Sequence, residues 1–503
     1  MEKLFGQKIS LGEADQLGWR EANWAQAEIT QAGKSASKSA LRLVHISDTH
    51  ICDAQSPARL AFTDRFSDPD HPYASLIGAP VGNYRSNEML TTQVMAVMIE
   101  TINSLRSPLS GLGVDVTVIT GDLTDNAQEN ELQWVKNILN GGSVAPHSGA
   151  RTFLGPGGEP YSEYYWNPSE VPDRPKTLFG FPTIPELLGA ATSSFSSVGL
   201  DMPFVAVHGN HDLMLQGTVV PDENLSKLAA GNQLPVDFAS DIDLLALSRD
   251  FSPIGPTSWP DVSQFVTAEA HPDASRVFLG SETFSNAFGR STRYFAQEQS
   301  GFLLISLDTV NEWGGWDGSI SAEQLTWLKD LLASNPGIPK LVFSHHPASA
   351  MENKYRPVGA SERFGAAALI EVLESDPEVL VWLAGHDHRN KGHWIGQSGN
   401  LLHIETCSLI DWPQQGRFIE IFKDSAGDYT LTSLMFDHDS PASVLAEKQL
   451  SADADLAQAK TIGSISRELA GNHWQRRNLR DSVHNMEGTE SDRNFSVKIP
   501  WRS

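Results

Sequence analysis

Six short apolar runs recur along this chain, and several of them end in a cluster of polar residues. Continuous apolar runs of this length are typical of strands that are buried on both faces of a sheet. They constrain the fold strongly, because each strand must be covered on both sides by other elements. The runs are residues 41–47, 114–120, 204–208, 302–307, 340–344 and 379–384.

Helical patterns lie between these runs. Residues 88–105 place Leu90, Val94 and Val97 on one apolar stripe, as in an amphipathic helix. Residues 321–332 begin with Ser-Ala-Glu-Gln, which is similar to a helix capping box. Alternating strands and helices predict an α/β domain that is built in layers.

The pattern changes after residue 385. Residues 401–405, 417–423 and 429–436 have the pattern of strands joined by short turns, which favours antiparallel pairing. The simplest architecture that contains both parts is a sandwich of mixed sheets with helices on the outside.

Two stretches, residues 141–200 and 214–292, are too long to be simple connections. We interpret both as insertions that cover a site, because functional loops are carried by a rigid scaffold. The main domain is therefore expected to span residues 41–440. An N-terminal extension (1–40) precedes it, and a C-terminal tail (441–503) that is helical or partly disordered follows it.

Charge and cysteine content exclude several classes of protein. The 503 residues include 37 Lys and Arg against 62 Asp and Glu, a formal net charge of −25. An acidic surface repels phosphate backbones, so extended nucleic-acid binding is not expected. Only two cysteines occur, Cys52 and Cys407, which excludes a disulfide-rich scaffold and a cysteine-based zinc cluster.

The N-terminal sequence, MEKLFGQKISLGEADQLGW, is interrupted by charged residues and has no apolar core like that of a signal peptide. No apolar run approaches the roughly 20 residues that cross a bilayer. We therefore expect a cytoplasmic protein that does not enter a membrane. The sequence does not define its oligomeric state.

Residues of metal-binding type follow five of the predicted strands. In open α/β sheets, ligands bind in the crevice beyond the carboxyl ends of the strands, so these groups are expected to converge. The five groups are Asp48-Thr49-His50, Gly121-Asp122-Leu123-Thr124-Asp125, Gly209-Asn210-His211-Asp212, His345-His346-Pro347 and Gly385-His386-Asp387-His388.

The chemistry of these side chains indicates the kind of metal. Imidazole, carboxylate and amide oxygen suit divalent ions such as Mn, Fe, Zn or Ni, and the absence of thiolates argues against a structural zinc site. A two-metal phosphoesterase holds its ions roughly 3.5–4 Å apart, with about seven ligands that include one shared carboxylate. The five groups supply such a set.

The series D-x-H, G-D-x-x-D, G-N-H-D, H-x-P and G-H-x-H, in this order, resembles the calcineurin-like metallophosphoesterase family. The resemblance extends from about residue 41 to residue 436. It implies an α/β fold, a four-layer αββα sandwich of mixed sheets, interrupted here by the two long insertions. It also implies two divalent metal ions. By this resemblance one ion is bound by Asp48, His50 and His388, the other by Asn210, His345 and His386, and Asp122 bridges both.

The resemblance further implies a hydrolase for a small phosphomonoester or phosphodiester. A hydroxide between the two cations would attack phosphorus in line, with Asp122 as the bridging ligand. His211 would be the acid that meets the leaving-group oxygen or steadies the transition state. Two alternatives are a nuclease or nucleotide phosphodiesterase, and a non-catalytic scaffold of the same fold. The presence of all seven ligands together with His211 argues against the scaffold.

Two departures refine the expected site. Asp125 stands where purple acid phosphatases have a metal-binding tyrosine, so a ferric–tyrosinate site is not expected. In the His345-His346 pair the family pattern places the ligand two residues before the proline, which favours His345.

Several other residues have two readings. Arg59 and Arg85 either contact phosphate, because a guanidinium fork matches phosphate oxygens, or form salt bridges on the surface. Asp411 is expected to be structural. Four aromatic residues of the first insertion either stack on a nucleoside or sugar or form the insertion's own small core; they are Tyr161, Tyr164, Tyr165 and Trp166.

Overall fold

The computed structural model of the protein describes residues 5–27, 38–68, 70–72, 84–150, 152–239, 243, 252–257, 262–280, 282–445, 458–477 and 486–499. Its strands, numbered in chain order, are β1 (Gln7–Ala14), β2 (Arg20–Gln26), β3 (Lys38–Ile46), β4 (Val116–Thr120), β5 (Gly142–Val144), β6 (Phe195–Ser197), β7 (Phe204–Val207), β8 (Gln233–Phe238), β9 (Phe265–Glu269), β10 (Phe295–Gln299), β11 (Phe302–Ser306), β12 (Ile320–Ser321), β13 (Lys340–Phe343), β14 (Arg363–Phe364), β15 (Val379–Ala384), β16 (Lys391–Ile395), β17 (Leu401–Glu405), β18 (Gln415–Lys423), β19 (Tyr429–Asp437) and β20 (Phe495–Ile499).

The α-helices are numbered in the same way. They are α1 (Thr91–Ser104), α2 (Glu129–Asn140), α3 (Arg174–Phe179), α4 (Leu187–Ala191), α5 (Glu223–Ala230), α6 (Thr283–Ala287), α7 (Ala322–Ser334), α8 (Ala366–Ser375), α9 (Ala459–Gly471), α10 (Trp474–Arg477) and α11 (Glu490–Arg493). Helix α1 follows a 3-10 turn at Glu88–Leu90, so the predicted helix over residues 88–105 is present with a tighter first turn. Helix α7 begins as its sequence predicts, with the Ser321 hydroxyl accepting the Gln324 amide at 3.2 Å.

Two six-stranded mixed sheets form the centre of the molecule. The strand order is β20-β19-β18-β3-β4-β7 in the first sheet and β10-β11-β13-β15-β17-β16 in the second. Strands β3, β4 and β7 run parallel in one sheet, as do β11, β13, β15 and β17 in the other. A parallel bridge between Ser47 and Ser408 joins the two sheets just beyond β3 and β17. The carboxyl ends of parallel strands from both sheets therefore lie together.

Apolar burial accounts for the layers. Between the sheets, residues such as Leu43 and Ile419 of the first pack with Leu341 and Leu383 of the second. Helices α1 and α2 cover the outer face of the first sheet, and α7 and α8 cover the outer face of the second. The arrangement is a four-layer αββα sandwich, which confirms the predicted fold class.

The C-terminal residues join the sandwich, which the sequence pattern did not lead us to expect. Within the tail, predicted to be helical or partly disordered, α9 packs beside α1, and β20 pairs antiparallel with β19 as the edge strand of the first sheet. A signal for β20 is present in Phe495, Val497 and Ile499, which alternate with polar residues. Residues 478–485, which form the end of the charged tract HWQRRNLRDSVHN (473–485), lie outside the described residues.

The first insertion and the tail share a small apolar core. Tyr165 and Trp166 are buried there with Phe181, Ile465 and Trp474. Of the two readings given for these aromatic residues, burial in a core is the one that Tyr165 and Trp166 show.

None of the helices in the described part of the chain combines the length and the apolar character needed to cross a lipid bilayer.

Candidate metal centre

Tight turns at the ends of parallel strands bring the predicted ligands together. Asp48 and His50 follow β3, where the amide of Asp48 donates to the Gly121 carbonyl at 3.1 Å and the amide of His50 donates to the Asp122 carbonyl at 2.9 Å. These backbone hydrogen bonds thus hold the first two groups of the series next to each other.

The backbone is strained at these turns. Five of the predicted ligands adopt positive φ angles, a region that non-glycine residues seldom occupy. Such strain persists where the surrounding structure fixes it, and it is concentrated at functional sites. The five are Asp48 (52°), His50 (42°), Asp122 (49°), His386 (71°) and His388 (54°).

Asp48, His50 and His388 form one cluster. His50 Nε2 lies 3.2 Å from His388 Nε2, and His388 Nε2 lies 3.4 Å from Asp48 Oδ1. Atoms that share a metal at about 2.1 Å lie roughly 3 Å apart when their bonds are at right angles. The three side chains are therefore spaced to hold one cation.

Asn210, His345 and His386 form a second cluster. His345 Nε2 lies 2.8 Å from Asn210 Oδ1 and 3.2 Å from His386 Nδ1. Both ring nitrogens of His346, by contrast, have other partners, the Thr309 hydroxyl at 2.8 Å and the Trp316 carbonyl at 3.0 Å.

Asp122 lies between the two clusters. Its Oδ2 is 3.2 Å from His345 Nε2 and 3.7 Å from His50 Nε2. Its Oδ1 accepts the backbone amide of His211 at 2.8 Å, which fixes the carboxylate. Gly209 permits this approach, because a Cβ there would lie 2.2 Å from Asp122 Oδ1. This placement suits a carboxylate that is shared by two cations.

Hydrogen bonds determine which nitrogens face the first cluster. His50 Nδ1 donates to Asp125 Oδ1 at 2.9 Å, and His388 Nδ1 donates to Asp411 Oδ2 at 2.6 Å. Because an ionised carboxylate only accepts, each neutral ring carries its proton on Nδ1. When both rings are neutral, as ligands to a metal must be, the two Nε2 lone pairs face each other without a proton between them, an arrangement that fits a cation.

In the second cluster, too, hydrogen bonds on the outer side leave acceptor atoms facing the centre of the cluster. His345 Nδ1 donates to the Thr120 carbonyl at 2.7 Å, which leaves Nε2 of the neutral ring as an acceptor. Asn210 Nδ2 donates to the Gly217 carbonyl at 3.0 Å, so its Oδ1 also faces the cluster as an acceptor. Buried acceptors that face only acceptors are destabilising unless a cation lies among them. The residues present therefore fit two cations.

The pKa shifts of the clustered side chains also indicate that the site favours positive charge. Burial opposes a charge on His345, but Asp122 and Asp48 outweigh it and raise its pKa to about 9. Burial opposes a charge on His388 as well, and Asp48 and Asp411 raise its pKa to about 9. Burial disfavours the ionised form of Asp122, yet His345 and His211 hold its pKa well below the usual value. Both clusters thus favour positive charge, which a divalent ion also supplies.

Comparison with known families decides the identity. The model of the calcineurin-like phosphoesterases matches residues 41–390, more than half of the chain. The chain belongs to the calcineurin-like phosphoesterase family. The family is one of dimetal enzymes, and within the described residues four groups of His and Asp side chains could hold a metal ion. These groups include Asp48 with His50 and His388, and Asp48 with Asp122 and His345.

Solved structures resemble the chain only distantly. A dimetal phosphatase from Danio rerio is 13% identical with a TM-score of 0.34, covering 80% of this chain and 100% of that one. GAP50, the anchor in the inner membrane complex of Plasmodium, is 11% identical with a TM-score of 0.28, covering 85% and 95%. A 5′-nucleotidase from Candida albicans is 12% identical with a TM-score of 0.29, covering 89% and 58%. No curated protein gives a significant match. The family assignment rests on the family model.

In this calcineurin-like protein His211 lies beside the first cluster. Its ring centroid is 4.5 Å from that of His50, and its Nδ1 donates to the Asp125 carbonyl at 2.7 Å. Burial lowers its pKa to about 4, although Asp122 acts in the opposite direction. Without substrate the imidazole is therefore neutral at pH 7, and its Nε2 carries no proton.

The arginines singled out in the sequence form buried ion pairs. Arg59 binds Glu88 through two nitrogens at 2.6 and 2.8 Å, and its Nε lies 3.5 Å from Asp125 Oδ2. Arg85 binds Asp411 through two nitrogens at 2.8 and 3.2 Å. Of the two alternatives, phosphate contact and salt bridge, the structure contains the salt bridge for both arginines. Both salt bridges are buried inside the protein and do not lie on its surface.

Sequence reasoning did not connect Asp411 with His388. No local pattern around Asp411 indicates that contact, because the two residues are 23 positions apart on separate loops. The sequence around Asp125 indicates only that it replaces a tyrosine, and the structure adds its hydrogen bond to His50.

Proposed function

We propose that this protein is a metal-dependent hydrolase of a small phosphomonoester or phosphodiester. Asp48, His50 and His388 would hold one divalent cation, and Asn210, His345 and His386 the other, with Asp122 shared. The observation that carries the proposal is the position of Asp122 Oδ2, 3.2 Å from His345 Nε2 and 3.7 Å from His50 Nε2, between two sets of inward-facing acceptors.

The chemistry that a bound cation pair supplies is Lewis-acid chemistry, namely hydroxide near neutral pH and neutralisation of charge on phosphate oxygens. The chain's own contribution is rigidity. Asp125 and Asp411 orient two of the histidines, and the His211 amide orients Asp122. Preorganised groups of this kind act without reorganising during the reaction.

The substrate class follows from size and charge. A net charge of −25 repels extended polyanions. The residues of the candidate site are also deeply set: side chains of Asp48 and Asp122 are 0% and 2% exposed, and those of His388 and His211 are 12% and 10% exposed. A phosphate group at the end of a small molecule suits such a site better than a folded phosphoprotein or a nucleic-acid strand.

A substrate panel tests the proposal. Protein stripped by a chelator and reloaded separately with Mn, Fe, Zn, Ni or Mg is assayed with p-nitrophenyl phosphate, bis-p-nitrophenyl phosphate and cyclic nucleotides. We expect metal-dependent hydrolysis of the first or second compound. Absence of turnover with all metals and all three substrates would refute the proposed function, and preference for cyclic nucleotides would favour a nucleotide phosphodiesterase.

A further prediction concerns His211. If it donates a proton to the leaving group, the substrate's negative charge must raise its pKa from about 4 in the free protein, so that it is protonated in the complex. An acid is active while protonated, so kcat should fall as pH rises through the pKa in the complex. We expect His211→Ala to lower kcat by roughly 10²-fold, within the range for general acids, and to remove that alkaline limb.

A comparison of esters with different leaving groups is the control for the role of His211. The loss in His211→Ala should be larger for phenyl phosphate than for p-nitrophenyl phosphate, because the poorer leaving group needs the proton more. Metal content should not change. Equal losses for both esters would show that His211 has a role other than that of the acid.

A further inference from the structure

A loop beyond β17 brings a buried carboxylate to the side of His388 that faces away from the metal cluster. Asp411 Oδ2 accepts from His388 Nδ1 at 2.6 Å. Arg85 donates to the same carboxylate twice, from Nε to Oδ1 at 2.8 Å and from Nη2 to Oδ2 at 3.2 Å. Arg85 is only 9% exposed and Asp411 only 4% exposed. The three side chains form one continuous buried chain that ends at the candidate metal site.

The loop that carries Asp411 is itself held in place. The carbonyl of Ile410 accepts from Asn87 Nδ2 at 2.8 Å and from Gln414 Nε2 at 3.2 Å. The amide of Asp411 donates to the Ser408 hydroxyl at 3.0 Å. The appended C-terminal helix takes part, because Ser466 of α9 accepts from Asn87 at 3.2 Å. The position of the Asp411 carboxylate is therefore determined by the fold and not by its contact with His388 alone.

A histidine ligand depends on its outer hydrogen bond. A carboxylate behind the ring fixes the tautomer and orientation and makes the ligating nitrogen more basic. Here the bond keeps His388 Nε2 pointed at Asp48 Oδ1, 3.4 Å away, and at His50 Nε2, 3.2 Å away. The two-pronged contact from Arg85 fixes the plane of the carboxylate, which a lysine could not reproduce.

We propose that Asp411 and Arg85 are positioning residues that set the affinity for the cation bound by Asp48, His50 and His388, while leaving the cation at Asn210, His345 and His386 little affected. The inference rests on the proposed function, since it assumes that the two clusters bind metal. It adds a selective dependence of one site on a loop and a helix that lie outside the five sequence groups.

Metal binding by the purified full-length chain tests this selectivity. Chelator-stripped protein is titrated with Mn²⁺ alone, and bound metal is measured by equilibrium dialysis with elemental analysis. Wild-type protein should bind two Mn²⁺ per chain. Asp411→Asn should bind one of them roughly 10- to 100-fold more weakly and the other as tightly as wild type. Arg85→Lys should weaken the same site by a smaller factor.

Electron paramagnetic resonance identifies which site is lost. At one Mn²⁺ per chain, Asp411→Asn should show an isolated Mn²⁺ signal that matches that of His388→Ala and differs from that of His345→Ala. The matched control is Glu378→Gln, which also alters a carboxylate paired with a buried cation, Lys340 at 2.7 Å, but at the opposite end of β15. That variant should bind two Mn²⁺ like wild type.

The results that would overturn the inference about Asp411 and Arg85 differ from the result that would refute the proposed function. Two equally tight Mn²⁺ sites in Asp411→Asn would overturn the inference while leaving the proposed function intact. Should Asp411→Asn fail to fold, unaltered binding of both ions by folded Arg85→Lys would overturn it equally. A wild-type protein that binds no Mn²⁺ and hydrolyses no ester with any metal would refute the proposed function and, with it, this inference.

Discussion

Replacement of Asp122 with asparagine is expected to lower kcat on p-nitrophenyl phosphate or bis-p-nitrophenyl phosphate by about 10³-fold or more. The change is isosteric, and the amide oxygen can still accept the His211 amide, so the fold should persist. It removes the charge at the one oxygen placed near both clusters. A metal pair contributes several kcal/mol to charge stabilisation, and each 1.36 kcal/mol corresponds to tenfold in rate.

The control for this variant lies at the opposite end of the same strand, β4. Asp115 precedes β4 and Asp122 follows it, and Asp115 pairs with Arg42 at the end remote from the clusters. Asp115→Asn should retain wild-type turnover with at most a modest loss of stability, as expected for a partly exposed ion pair. Full activity of Asp122→Asn in the presence of saturating metal would contradict the assignment of Asp122.

Removal of metal is expected to have the second large effect, on both activity and stability. Activity should fall to background after chelation and return when divalent cations are added. The melting temperature should fall as well, since a ligand at about 1,000 times its Kd stabilises the folded state by roughly 4 kcal/mol per site. In metal-free protein His50 Nε2 and His388 Nε2 still lie 3.2 Å apart, and only a proton is left to take the place of the cation between them.

The pH dependence of the metal-free form provides the check. His345 and His388 have folded-state pKa values of about 9, above the usual 6.5. The stability they contribute is complete below pH 6.5 and is lost as pH rises through about 9. The melting temperature of metal-free protein should therefore fall across this window, whereas metal-loaded protein, in which cations replace those protons, should change less. Differential scanning fluorimetry measures both, and identical curves would contradict two bound cations.

Many strands of the scaffold are predictable from the local pattern of apolar residues. Strands such as Val379–Ala384 and Val116–Thr120 coincide with apolar runs, because burial on both faces of a sheet favours apolar and β-branched residues along the strand. The polar groups that follow those runs lie together in the structure, because parallel strands end at a common edge. The local sequence gives a weaker prediction of a strand where that strand depends on pairing with a distant segment. Strand Phe495–Ile499 is stabilised by pairing with Tyr429–Asp437.

The surroundings of the candidate site depended on the tertiary structure. Arg85 could have faced a phosphate or a carboxylate, and its position against Asp411, 326 residues away, decided between them. The neutral state of His211 likewise comes from burial, which lowers its pKa to about 4 and has no counterpart in the G-N-H-D motif.

The sequence by itself thus determined the layered α/β scaffold and the set of side chains able to bind metal. Periodicity and residue chemistry are local properties that a single segment carries. Only the tertiary structure decided the distances among those side chains, the tautomers of the histidines and the partners of the buried arginines. These depend on contacts between segments hundreds of residues apart, whose energies no single segment contains.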